Sequence, residues 1–166
     1  MHVAFSVRLQ VKYVVEQARA MAAHPAVHRV DLLTRRITQP DLDPIYGQET
    51  ELLCEGCDPT GGARIVRLEA GPPQIYARKE ALWPFLREFA DNALGHIRRV
   101  QAELTRAGRP AAVTVVHGHY ADAGEIATLL VQRKGVLGVN LASAAAAAAA
   151  GAGAAAAEAL FSSVHE

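Results

Sequence analysis

Three features of the chain predict an α/β fold. Helical and extended stretches alternate along it, one strand candidate is a near-continuous apolar run of the doubly covered kind, and a polar, histidine-rich turn follows that run directly. The order read from the pattern is helix, strand, loop, strand, long helix, strand, helix, strand. Such an alternation predicts a mostly parallel sheet with flanking helices and right-handed crossovers. In sheets of this kind ligands lie beyond the carboxyl ends of the strands.

The first element follows from Val11, Val14, Val15, Ala18 and Ala22, which recur at helical spacing while Lys12, Glu16, Gln17 and Arg19 fall on the other side. An amphipathic helix from about Gln10 to Ala23 is expected, ended by His24-Pro25 because proline disfavours helix at the residue before it. Val30-Asp31-Leu32-Leu33-Thr34 reads as a short buried strand. From Arg35 to Gly62 three prolines, several glycines and no sustained period predict an irregular excursion of the kind that is functional or disordered. Arg64-Ile65-Val66-Arg67-Leu68 alternates as a strand does, and Gly71-Pro72-Pro73 stops it. Lys79 to Arg106 then carries a helical stripe of Leu82, Phe85, Leu86, Phe89, Ala93, Ile97, Val100 and Leu104, with Pro84 at a first turn or a kink. Arg106-Ala107-Gly108 and Pro110 form its stop signal. Ala112 to Val116 is the near-continuous apolar strand, a helix capped by Asp122 runs to about Arg133, and Val136 to Leu141 is the last strand candidate.

The 166 residues are 51% hydrophobic and 20% charged, which describes one soluble globular domain or a piece of a larger protein. Domain 1–141 is followed by an alanine-rich tail, 142–166, which is helix-prone but buries little area and reads as low complexity and not as a membrane span. With 17 basic and 17 acidic residues there is no electrostatic footprint for nucleic acid or an anionic membrane. Residues 1–8 lack the apolar run and cleavage site of a secretory signal, so a cytoplasmic, reducing setting is expected.

His117-Gly118-His119-Tyr120-Ala121-Asp122-Ala123-Gly124 stands where chemistry is expected. Its imidazoles could bind a sugar hydroxyl or a phosphate, and its carboxylate could accept hydrogen bonds from sugar hydroxyls; the plainer alternative is a polar turn with Asp122 as a helix cap. No further ligand at a standard spacing joins these residues, so neither a metal nor a cofactor is expected. Cys54-Glu55-Gly56-Cys57 has redox or zinc spacing, but it lacks a second pair and sits in a loop, so two reduced thiols are expected. Thr60-Gly61-Gly62 precedes a strand and opens no helix, so it is no phosphate cradle. Arg78 and Lys79 place two cations at the head of the long helix, against the macrodipole; a bound phosphate would explain them, and a solvated surface is the alternative. His2, His24, His28, His96 and His165 belong to no constellation and read as fillers.

Gln10 to Ala20 resembles the QVKYVVELARAL segment of sucrose-phosphate synthases. Arg29 to Arg35 resembles their RVDLLTRQ strand, Tyr46 to Glu49 their YGEP loop, Arg78 to Phe85 their RKELLWPY segment, and Phe89 to Ile97 their EFVDGALAHI segment. His117 to Gly124 reads HGHYADAG, identical to theirs and unlike the related sucrose synthases at that motif. The resemblance covers about Phe5 to Leu141. It implies the N-terminal, acceptor-side Rossmann-like domain of a two-domain GT-B retaining glucosyltransferase, which moves glucose from UDP-glucose to fructose 6-phosphate to give sucrose 6-phosphate. On that resemblance Gln10, His119, Tyr120 and Asp122 face the acceptor, and Arg78 and Lys79 help to hold its phosphate.

Departures from the family pattern qualify these implications. The family's DTGG stretch, whose glycine amides approach the donor diphosphate, stands just before QVKYVV, whereas Val7-Arg8-Leu9 precedes Gln10 here. The family's TGHSLGR segment, with a histidine at the reaction centre, is expected after Val139, where the alanine tract stands. A chain of this length holds one of the two domains, so no catalytic residue is assigned and transfer by the chain alone is not expected. A full-length homologue is then a candidate partner. Two alternatives stand beside this reading: a non-catalytic sugar-phosphate-binding or regulatory module, and an incomplete product with no independent role. Loss of strands also predicts exposed apolar sheet edges and poor solubility.

Overall fold

The computed structural model describes residues 3–109, 114–133 and 137–139. The alanine-rich tail, Ala112 and Val113 of the apolar run, and the outer residues Val136 and Leu141 of the last strand candidate lie outside the described residues. Helix α1 spans Val3–Ala23, strand β1 Arg29–Arg35, β2 Thr50–Leu52, β3 Gly62–Leu68, α2 Leu86–Arg106, β4 Val115–His117, α3 Tyr120–Gln132 and β5 Leu137–Val139. The fold is α/β, with helices and a small mixed sheet. Strands β1 and β3 pair in parallel, Asp31 opposite Arg64 and Leu33 opposite Val66. Strand β2 adds to the other edge of β3 antiparallel, and β4 and β5 form a separate parallel pair.

The expected elements are present, and four of them are revised. Helix α1 continues back to Val3, through Val7-Arg8-Leu9, where a helix was expected only from Gln10. The excursion after Arg35 is not structureless: a 3-10 turn, Pro44–Gly47, is capped by Asp43, whose carboxylate accepts the amide of Ile45, and β2 then turns back on β3. A hairpin of three residues has too short an alternation to show in the sequence. The long helical segment divides at Pro84. Lys79–Phe85 is a 3-10 helix and Leu86 begins α2, because proline cannot donate to the preceding turn. Asp122 is not the cap of α3. His119 occupies that position in extended backbone, and Asp122 lies in the first turn, where a carboxylate still meets the positive end of the helix dipole.

One core joins the layers. Val66 and Leu68 of β3 pack with Ala93, Leu94 and Ile97 of α2 and Leu130 of α3, and Leu33, Phe89, Val116 and Ile126 close around them. The strand parity explains this arrangement: Leu33, Val66 and Leu68 share the face turned to α2. Asp31 and Arg64 lie on the same face further along the strands, and there the layer is polar. The Asp31 carboxylate accepts from Arg29 Nε at 2.8 Å and pairs with His96 Nε2 of α2 at 2.7 Å, with Arg64 Nε at 3.6 Å. His96 is thus a partnered core histidine and not a filler. Burial works to raise the Asp31 pKa, but the hydrogen bonds from His96 and Arg29 outweigh it and hold the carboxyl below its usual value.

Cys54 and Cys57 are joined as a disulfide, against the expectation of two reduced thiols. The turn between β2 and β3 brings their sulfurs together over Gly62. This glycine has φ +75°, and a Cβ on it would lie 2.7 Å from Cys54 Sγ and 2.8 Å from Cys57 Sγ. Glycine is therefore required there on two counts, backbone conformation and space.

Candidate functional site

The candidate site is built where β4 gives way to α3. Val116 is anchored in the core, and the chain leaves the strand through His117 and Gly118 to begin a helix at Tyr120. Gly118 is buried against the first turn of that helix: a Cβ there would stand 2.5 Å from the Ala123 carbonyl oxygen and 2.7 Å from the Gly124 nitrogen. Only glycine lets the strand end approach the helix this closely. That approach fixes the two histidines relative to Asp122.

The two imidazoles lie with ring centroids 4.3 Å apart, tilted by 41°. Burial pushes the His117 pKa down to about 4, with the neighbouring His119 adding to the shift, and burial also lowers His119. Both rings are neutral at pH 7. In that form an imidazole can donate or accept a hydrogen bond with a hydroxyl.

The positive charge comes from elsewhere. The 3-10 helix Lys79–Phe85 lies against the start of α3, and Lys79 Nζ stands 3.7 Å from Asp122 Oδ2. Trp83, from the same helix, donates its indole N–H to Asp122 Oδ1 at 3.2 Å. Each carboxylate oxygen thus has its own partner. Arg78 is the exposed residue at the head of the 3-10 helix, with no side-chain capping bond. Of the residues singled out from the sequence, Lys79 and Asp122 are brought into direct contact, with Arg78 next to Lys79 in the chain and His119 three residues before Asp122. The side chains of Gln10 and Tyr120 lie outside what is described.

Trp83 was not singled out, although it sits inside the RKELLWPY-like segment. The available signal was its spacing: Lys79 and Trp83 are four residues apart, about one turn, on a segment already suspected of binding. Among the described residues no group of three or more His, Cys, Asp or Glu side chains could hold a metal ion. Among them, too, no helix is long and apolar enough to cross a membrane.

The candidate site is thus a polar strand-to-helix turn that carries a paired carboxylate and two partly buried imidazoles. Comparison with known proteins narrows the class. The chain is 53% identical over 130 residues to sucrose-phosphate synthase of Zea mays, 50% identical to probable sucrose-phosphate synthase 1 of Oryza sativa subsp. indica, and 49% identical over 128 residues to sucrose-phosphate synthase 4 of Arabidopsis thaliana. In each case the match covers 73% of this chain and 12% of the relative. No protein-family model matches. The chain matches a fragment of the sucrose-phosphate synthases and spans about an eighth of the length of these relatives.

Proposed function

We propose that this chain is part of the acceptor-side, Rossmann-like domain of a GT-B glucosyltransferase, and that its site binds fructose 6-phosphate. The complete enzyme would transfer glucose from UDP-glucose to give sucrose 6-phosphate and UDP. The observation that carries the reading is the contact between Lys79 and Asp122 at the carboxyl end of β4. A hexose phosphate needs both partners, a cation for the phosphate and a carboxylate to accept from ring hydroxyls. Arg78 adds a second cation, and neutral His119 adds a group that donates or accepts without repelling either part. Gln10 and Tyr120 complete the acceptor set on the strength of the family resemblance.

No residue of this chain takes a catalytic role in the proposal. The donor nucleotide would be held by parts of the complete enzyme outside the matched segment, and the cytoplasm is the proposed setting. No cofactor or metal enters the scheme, and no nucleic acid or membrane partner. A full-length homologue is the partner through which the chain would take part in transfer.

Titration calorimetry with fructose 6-phosphate tests the reading. The wild-type chain should bind it, with fructose and inorganic phosphate each weaker. Lys79→Met and Asp122→Asn should each weaken it about tenfold or more, the effect of losing one charged hydrogen-bond partner. UDP-glucose with fructose 6-phosphate should give no sucrose 6-phosphate with this chain alone. Equal affinity of both variants and wild type would refute the site.

A further inference from the structure

We infer that Trp83 is a positioning and specificity-determining residue of this site: its N–H fixes the Asp122 carboxylate, and its exposed ring supplies a wall for the apolar face of a hexose. The inference rests on the acceptor-site reading above and adds to it a residue and a selectivity.

Two independent facts meet at this side chain. Trp83 is 58% exposed, in a protein where aromatic residues are scarce and the core is aliphatic. A large exposed indole is not explained by packing, yet it is not loose, because its N–H is spent on Asp122 Oδ1 at 3.2 Å. The ring is therefore held at one edge and open on a face. Sugars present an apolar C–H face and a polar hydroxyl rim, and an aromatic ring beside a carboxylate matches the two together. The same helix sets Lys79 on Asp122 Oδ2. With one oxygen held by the indole and the other beside the ammonium, the carboxylate cannot rotate without breaking a contact. It is presented in a fixed orientation to incoming hydroxyls, which lowers the ordering cost of binding.

The arrangement also divides the labour between the two ends of the ligand. The phosphate is read by the charges of Arg78 and Lys79, which Trp83→Phe leaves in place. The sugar is read by Asp122 and the ring face, which do. Trp83 should matter to a hexose phosphate and hardly at all to phosphate alone.

Trp83 is the sole tryptophan of the chain, so its emission reports on this site without a label. Three measurements form the test: calorimetry of the wild type with fructose 6-phosphate, tryptophan emission in the same titration, and calorimetry of Trp83→Phe with fructose 6-phosphate and with inorganic phosphate. We expect saturable change in emission with the calorimetric midpoint. We expect Trp83→Phe, which keeps a ring and loses the N–H, to bind fructose 6-phosphate about five- to tenfold more weakly while inorganic phosphate binds as before. Heat of binding without any change in emission overturns the inference and leaves the acceptor-site reading intact. So does a Trp83→Phe chain that binds both ligands as the wild type does, or loses both in equal measure, the latter being the mark of a merely structural residue. Should that variant fail to fold, the wild-type emission decides alone. No heat with fructose 6-phosphate on the wild type would overturn the acceptor-site reading and this inference with it.

Discussion

Replacing Asp31 by Asn tests whether the polar part of the core is as coupled as its geometry implies. The Asp31 carboxylate receives Arg29 Nε at 2.8 Å and His96 Nε2 at 2.7 Å, with Arg64 Nε at 3.6 Å, and all four side chains are largely buried. Charge-assisted hydrogen bonds contribute about 1.5–3 kcal/mol each. An Asn keeps one acceptor oxygen and avoids the several kcal/mol needed to desolvate a carboxylate, so the net loss should be about 2–4 kcal/mol. Asp31→Ala, which leaves His96 and Arg64 without their buried carboxylate and Arg29 with only the half-exposed Glu103 at 3.5 Å, should cost about 3–5 kcal/mol. The acid limb gives the sharper reading. The Asp31 carboxyl lies below its ordinary 3.8 when folded, so as pH falls the unfolded chain takes up this proton first. Its contribution is complete above about 3.8 and is lost as pH falls through the lower folded value. Urea unfolding from neutral pH to below about pH 3 should show the wild-type and Asn curves apart at neutrality and converging in acid. A difference that is absent at neutrality, or that stays constant into acid, would refute the argument.

Four further outcomes are expected. Burial holds His117 down to about 4 when folded against its ordinary 6.5 when unfolded, so stability should fall as pH drops through that window; discounted for a partly exposed ring the loss is about 1–2 kcal/mol, and His117→Asn should reduce the slope of the pH series, leaving the smaller part due to His119. Gly118→Ala forces a methyl group onto the Ala123 carbonyl and should cost fructose 6-phosphate affinity together with a lower melting temperature, which calorimetry and a thermal scan would show. Leu130→Ala empties the one large side chain that, among the described residues, has no exposed surface, and should cost about 2–5 kcal/mol in urea. Reducing the Cys54–Cys57 disulfide opens a very short loop and should cost about 2 kcal/mol; a thiol titration showing two free thiols before reductant is added would contradict the pairing.

What the sequence made legible follows the range of the interactions. The strands β1 and β3 and the end of helix α2 at Arg106 stand close to their expected limits because each carries enough periodic apolar residues to announce itself. His117 to Gly124 was legible as a strand-to-helix turn, and so as a candidate site, from its place after an apolar strand. The β2 hairpin escaped because three residues, Thr50 to Leu52, show no period. The Asp31–His96 pair, 65 residues apart, escaped because a histidine in a helix looks the same with a partner as without one. Trp83 escaped for the opposite reason: it falls near the apolar stripe of the long helical segment, and only the 3-10 start of that segment turns it toward Asp122. The Cys54–Cys57 bond depends on a turn closed by Gly62, which spacing alone does not reveal.

The position of α2 ties the site to the rest of the fold. Among the described residues, strand β4 pairs with β5 and not with the β1–β3–β2 sheet; β4 and α3 join that sheet through the shared core, Val116 and Leu130 packing with Val66 and Leu68 and with Ala93, Leu94 and Ile97 of α2, and through the ion pair of Arg133 with Asp91 of α2. His96 locks the same helix to β1 through Asp31. A ligand on Asp122 and Lys79 holds α3 to the 3-10 helix that opens α2, so it stabilises the assembled state and not the unfolded chain. Binding of fructose 6-phosphate at a hundredfold excess over its dissociation constant should then add about 2.7 kcal/mol to the unfolding free energy. In Asp31→Asn the starting stability is lower but the site residues are untouched, so the same increment should return as long as the variant is folded. An increment that vanishes in Asp31→Asn, with the fold intact by circular dichroism, would show that the site is formed only through the buried pair, and that the two ends of α2 act as one cooperative unit.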